Sequence, residues 1–207
     1  MTWLSPRTLI ALGIAILLVA GLGVGAWFWD ESRERHAVAA YVGPLARLAD
    51  ARSTPLSPET RAAISRELES ALAQYPSASL APDAAYALGN LRYAERDWAR
   101  ARSAWEVVST HAQSPTLRIL ARTGIGYSWE AEGDLTKARA AYEQARAQLR
   151  PGDFYFEELL MAQARVQERS GEKTAAIESY RRLLREAPQS LRADDARNRL
   201  GILGATP

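Results

Sequence analysis

The sequence predicts an all-α fold: an N-terminal transmembrane helix, an α-α superhelix of stacked helix pairs, and a C-terminal capping helix. Three observations carry this. Asp97-Trp98, Ala101 and Trp105 recur as Asp134-Leu135, Ala138 and Tyr142, and again as Glu172-Lys173, Ala176 and Tyr180. The Ala-x-x-x-aromatic core steps 37 residues from Ala101 to Ala138 and then 38 to Ala176, and self-similarity at such a period marks a repeat array. Thr8 to Trp29 contains no charged residue, and at 1.5 Å per residue that run is long enough to cross a hydrocarbon core of roughly 30 Å. The rest of the chain is punctuated by Ser or Asp caps and by prolines, the start and stop signals of helices.

Residues 1–7 form a short tail and 8–29 the membrane segment. Two readings of the segment compete. A cleaved signal peptide would use Arg7 as its n-region, Leu9 to Ala20 as its h-region and Val24-Gly25-Ala26 as the cleavage site. An uncleaved anchor explains more, because the apolar run is about twice a usual h-region. Trp27, Phe28 and Trp29 also stand where an interfacial aromatic belt belongs. Charged residues follow at once, from Asp30 to Arg35. Arg7 faces Arg33 and Arg35 across the segment, counts too small to decide orientation by the positive-inside rule.

Residues 30–81 read as a juxtamembrane helix and an irregular helix pair. Ala37, Tyr41, Leu45 and Leu48 keep helical spacing, and Pro44 is placed to kink that helix. Arg52 to Pro58 breaks it, and Ser57-Pro58 is an N-cap with proline at the first helical position. A helix to about Gln74 buries Ile64, Leu68, Ala71 and Leu72, and Tyr75-Pro76 ends it. Residues 82–189 hold three repeats. Asp97 caps the second helix of the first, Ser114-Pro115 opens the second, and Gly133-Asp134 makes its turn. Asp153 is expected to cap the third, with Gly171 at its turn and Pro188 at its end. In 190–207, Ser190 to Leu203 is an amphipathic capping helix with Asp194 and Asp195 in its first turn, where acids suit the helix dipole.

Packing explains the spacing. Gly89, Ala101, Gly126, Ala138, Ala164 and Ala176 let paired helices approach closely. The aromatic four residues after each alanine lies one turn along the same face and fills the gap between repeats. Leu88-Gly89, Ala101 and Trp105, then Ile125-Gly126, Trp129, Ala138, Tyr142 and Ala145, then Ala176, Tyr180 and Pro188 resemble the tetratricopeptide repeat family. Gln163-Ala164 replaces Leu-Gly in the third repeat, and the period exceeds the family's 34 residues. The match covers 82–188, and Leu68, Ala71 and Pro76 extend it as an irregular repeat over about 32–80. One N-terminal span, Gln74-Tyr75-Pro76 and the stretch Ser114 to Arg122 look like the single-span bacterial repeat proteins that accompany the Sec translocon. They are also similar to the periplasmic repeat domain of the Tol–Pal division coordinator. That resemblance implies an inner-membrane, single-pass protein with its repeats in the periplasm. It further implies protein partners: translocon subunits, periplasmic clients or chaperones.

Beyond residue 29 there are 25 basic residues (all 26 but Arg7) against 24 acidic ones, and only Lys137 and Lys173 are lysine. Nothing here is the clustered excess of base that nucleic acid needs. There is no cysteine, so neither disulfides nor thiolate metal sites arise. His36 and His111 are 75 residues apart with no ligand spacing around them, and are read as solvated or capping residues rather than metal ligands. No G-x-S-x-G, P-loop or H-E-x-x-H motif is present. The expectation is therefore a non-enzyme with no cofactor. Gly21 and Gly25 form a G-x-x-x-G that can pair membrane helices, the basis for a homo-oligomer.

The first helix of each pair lines the inner groove of such an array, and its outward positions are Tyr86, Asn90, Tyr93, Tyr127, Glu130, Arg165 and Glu168. Tyr and Arg anchor partners well. An ordinary solvated face with amphipathic tyrosines is the competing reading. Mainly Arg165 is basic here, too little for a clamp on a partner's carboxylates. Charge reversal at Arg165 with Tyr127→Ala is expected to weaken binding without unfolding. Trp98, Trp105 and Trp129 are assigned to the core.

Overall fold

The computed structural model describes the backbone of residues 6–51 and 56–206, and the side chains of these except 6–19, 25 and 26. Within them lie helices α1 (Pro6–Asp50), α2 (Pro58–Gln74), α3 (Ala81–Ala94), α4 (Trp98–His111), α5 (Pro115–Glu132), α6 (Leu135–Arg146), α7 (Phe156–Arg169), α8 (Lys173–Glu186) and α9 (Ala193–Ile202). No strand occurs among the described residues. No helix among them is long and apolar enough to cross a membrane. The expected transmembrane segment, 8–29, lies for the most part outside the residues whose side chains are described.

Local chemistry sets most boundaries. Ser57 Oγ accepts from the Thr60 amide at 3.2 Å and Ser114 Oγ from the Leu117 amide at 3.3 Å. Asp97 and Asp134 do the same for Arg100 and Lys137, at 3.3 and 3.1 Å. Each satisfies one of the donors a helix start leaves orphaned. Gly133 and Gly171 turn the chain at φ +86° and +77°, the left-handed region. Two expectations fail. Asp153 does not cap α7; its Oδ2 accepts from the Arg150 amide at 2.7 Å and closes the turn before it. Tyr155, at φ +69°, is the N-cap instead and makes no side-chain cap bond. The capping helix starts at Ala193 rather than Ser190, because residues 187–192 are tied into turns by Ser190 N to Ala187 O and Ala193 N to Ser190 O, both 3.0 Å.

Helices contact their neighbours in chain order, with additional contacts of α1 on α3 and α3 on α5. Stability in such an array is carried from one repeat to the next. Trp105 is the clearest joint: a β-carbon placed on Gly89 would stand 2.4 Å from its indole, and one on Gly124 2.8 Å. The ring is thus gripped between α3 and α5. A β-carbon on Gly126 would lie 2.3 Å from the Tyr142 ring. At the N-terminal end Tyr41 is fully buried, and its hydroxyl donates to Ala71 O at 3.1 Å and Tyr75 O at 2.8 Å. It occupies the carbonyl end of α2 and fixes α1 to the array. α1 continues through Pro44, which is buried.

Candidate functional site

Repeat arithmetic places the groove residues in two rows. Asn90, Tyr127 and Arg165 are equivalent positions of α3, α5 and α7, as are Tyr93, Glu130 and Glu168. Tyr93, Tyr127, Glu130 and Arg165 come together around one hollow, with Ala131 and Arg169. Tyr86 and Asn90 do not line it; they lie two turns and one turn back along α3 from Tyr93. Glu168 lies farther along, beside a second hollow lined by Glu158, Arg165, Tyr180, Arg192 and Arg199.

The charged members are tied to one another. Glu130 is only 8% exposed. Its carboxylate accepts from Arg165 Nε and Nη2 at 2.8 and 2.9 Å, Arg169 Nη1 at 3.0 Å and the Tyr142 hydroxyl at 2.8 Å. Burial pushes the Glu130 carboxyl up, but the Arg165 bonds and charge, with Tyr142 and Arg169, outweigh it and hold the group below the usual carboxylate range. Arg165 is shifted further up by the same pair, against its own desolvation. One repeat on, Glu168 accepts from the Tyr180 hydroxyl and Arg199 Nε, both at 3.1 Å. Tyr142 and Tyr180 each stand twelve residues after their glutamate. The device is therefore repeated: a groove glutamate binds the packing tyrosine of its own repeat and an arginine of the next element.

In the first repeat Tyr93 stands where that glutamate would be, and its ring packs 5.8 Å from Trp105. The Trp105 indole N–H is buried without a hydrogen-bond partner, which follows from this exchange. Tyr127 donates to Glu158 Oε1 at 2.6 Å, and Glu158 also pairs with Arg192. Burial, then the Glu158 bond and charge, raise the Tyr127 hydroxyl well above its ordinary value. Burial raises Tyr86 as well, with a bond to Asn90 opposing it and Tyr155 adding to it.

The groove therefore holds four arginines, not one: Arg169, Arg192 and Arg199 join Arg165. Each is paired with Glu130, Glu158 or Glu168. Reversing Arg165 would set a second carboxylate against buried Glu130 and destabilise the array, so it is no test of binding. The signal missed was the 38-residue step from Glu130 to Glu168, shared with Tyr142 and Tyr180. Trp105 is core, but Trp129 is not. It is half-buried between Arg102, 3.5 Å from the ring centroid, and Lys137, 4.3 Å from it. Trp98 is also only half-buried and rests on Tyr93, with ring centroids 4.8 Å apart. Among the described residues no group of His, Cys, Asp or Glu could hold a metal. His36 and His111 each bond the carbonyl four residues back, at 2.8 and 3.1 Å.

Residues 158–190 match the family model of the tetratricopeptide repeat. The chain contains a tetratricopeptide repeat. The matched stretch takes in most of α7 and all of α8, the pair whose Leu-Gly is missing. The chain is also similar in fold to a solved structure from the functional characterisation of Pseudomonas aeruginosa pilF. That likeness has a TM-score of 0.53 at 15% identity, over 84% of this chain and 85% of that one. The likeness over that span is one of fold, a helical-repeat scaffold. No curated protein matches the chain.

Proposed function

We propose that this repeat protein is a membrane-anchored interaction module, held by residues 8–29 in the inner membrane with its repeats in the periplasm. In this reading it associates with the Sec translocon and with client or chaperone proteins in envelope biogenesis. The observation that carries the binding role is the division of labour in the groove. Its arginines and glutamates neutralise one another, while exposed Asn90 and the half-buried rings of Tyr86, Tyr93 and Tyr127 remain as amphipathic contacts along α3 and α5. Such a surface suits an extended, near-neutral segment of another protein. The uncharged run 8–29 supports the anchor, and Leu22, Val24, Trp27, Phe28 and Trp29 are each more than half exposed.

The test is photocrosslinking in intact membranes from position 90 in the groove and from exposed Ser103 on α4 as control. Translocon subunits or emerging clients captured from 90 and not from 103 are expected. Recovery of division or Tol–Pal components instead would favour a structural coordinator acting through multimerisation. Equal capture from both positions would refute the groove. A reporter fused to the C-terminus is expected to be active only in the periplasm, and cytoplasmic activity would overturn the topology.

A further inference from the structure

A third cleft lies at the opposite end of the array from the groove's arginine pairs. Asp30, Arg33, Glu34 and Ala37 form one face of α1, at the i, i+3, i+4, i+7 spacing of a helical stripe. Opposite them stand Tyr75, Pro76, Ser77 and Ala78, the turn that ends α2. Both walls are fixed. Glu34 Oε1 accepts from the Ser79 amide at 3.1 Å and from its hydroxyl, and Tyr41 bonds the Tyr75 carbonyl from below. Ala37 is the buried floor.

The rim differs from every charged cluster in the groove. Asp30 and Arg33 are exposed and make no ion pair or hydrogen bond among the described residues. An unpaired acid and an unpaired base, three residues apart, face the same cleft beside a glutamate held in place. They follow directly on Trp27, Phe28 and Trp29. From Asp30 to Glu34 the helix rises about 6 Å, comparable to the polar layer on one side of a bilayer.

The geometry points to a phospholipid headgroup site, and its charge pattern to phosphoethanolamine. This rests on residues 8–29 being inserted in a bilayer. Arg33 takes the phosphate, with the Ser77 hydroxyl able to add a donor. Asp30 and Glu34 accept from the ammonium, which offers three N–H donors. A choline headgroup offers none, and two carboxylates oppose a purely anionic headgroup.

The full chain is reconstituted into nanodiscs of phosphatidylcholine doped equally with phosphatidylethanolamine and phosphatidylglycerol. The lipid retained on release into mild detergent is then counted by native mass spectrometry. Phosphatidylethanolamine is expected to be retained about tenfold over the other two, the equivalent of one charge-assisted contact. Arg33→Ala with Asp30→Asn should abolish the preference with unchanged circular dichroism, since both side chains are exposed. Arg35→Ala, already paired with Glu31, should preserve it. Equal retention of the three lipids, or a preference that survives the double variant, overturns the site while leaving the anchor standing. Failure to insert overturns the anchor and the site together. Soluble glycerophosphoethanolamine binding as tightly as the lipid would overturn the assignment to the bilayer.

Discussion

Removing the Glu130 carboxylate should damage the array more than any other single charge deletion. Glu130→Ala leaves the buried Tyr142 hydroxyl without its acceptor, a loss of about 1–3 kcal/mol. It also strands Arg165 and Arg169, whose partner is gone. Breaking a fully buried ion pair costs about 3–5 kcal/mol. The two arginine side chains are 38% and 47% exposed and can turn to water, so only a fraction of that applies. Together the loss is about 2–4 kcal/mol, or roughly 5–15 °C in Tm for an array of this size. Thermal unfolding of the full chain followed by circular dichroism measures it. Glu130→Gln keeps the shape and removes the charge, so it isolates the ionic part. The folded carboxyl titrates below the ordinary glutamate value of 4.5. Its stabilising contribution is therefore complete above that pH and is lost as pH falls through the lowered folded value. The gap between wild type and Glu130→Gln should hold at neutral pH and close in acid. A Glu130→Ala loss under about 1 kcal/mol, or a gap indifferent to acid, would refute the network as an energetic unit.

Four further variants probe the packing and the turns. Gly126→Ala should destabilise by at least about 1–3 kcal/mol, since its β-carbon would collide with the Tyr142 ring. Gly133→Ala, with open space around it but φ +86°, should cost only about 1 kcal/mol, so comparing their urea midpoints separates collision from backbone strain. Trp105→Ala should cost about 3–5 kcal/mol in the same assay, because the ring joins two repeats. Tyr41→Phe removes one hydroxyl proton shared between two carbonyls, worth about 0.5–1.5 kcal/mol in all, and should raise amide exchange at the end of α2 more than in α7.

Helix existence was legible because it is written locally. Ser57, Asp97, Ser114 and Asp134 each bond an amide three residues on, and that spacing is visible in one dimension. Asp153 misled for the same reason: Pro151-Gly152 offers a turn whose Arg150 amide takes the aspartate before a helix can. The groove rows were legible by period. Their bonding was not, since Glu130 and Arg165 meet across 35 residues and burial alone decides that they pair. Trp129 shows the converse. Its position in the repeat reads as core, but Arg102 and Lys137 cover its faces with cations.

The array is joined by unlike seams on the two sides of α5. Toward α3 the seam is an indole gripped by glycines, with an N–H left unbonded. Toward α7 it is a carboxylate held by two guanidinium groups. Apolar contact weakens on cooling, whereas dissolved salt reaches the ionic contact only in part, through its half-exposed guanidinium groups. Cold and ionic strength therefore act on opposite halves of one groove, and its curvature need not respond as a single body to either.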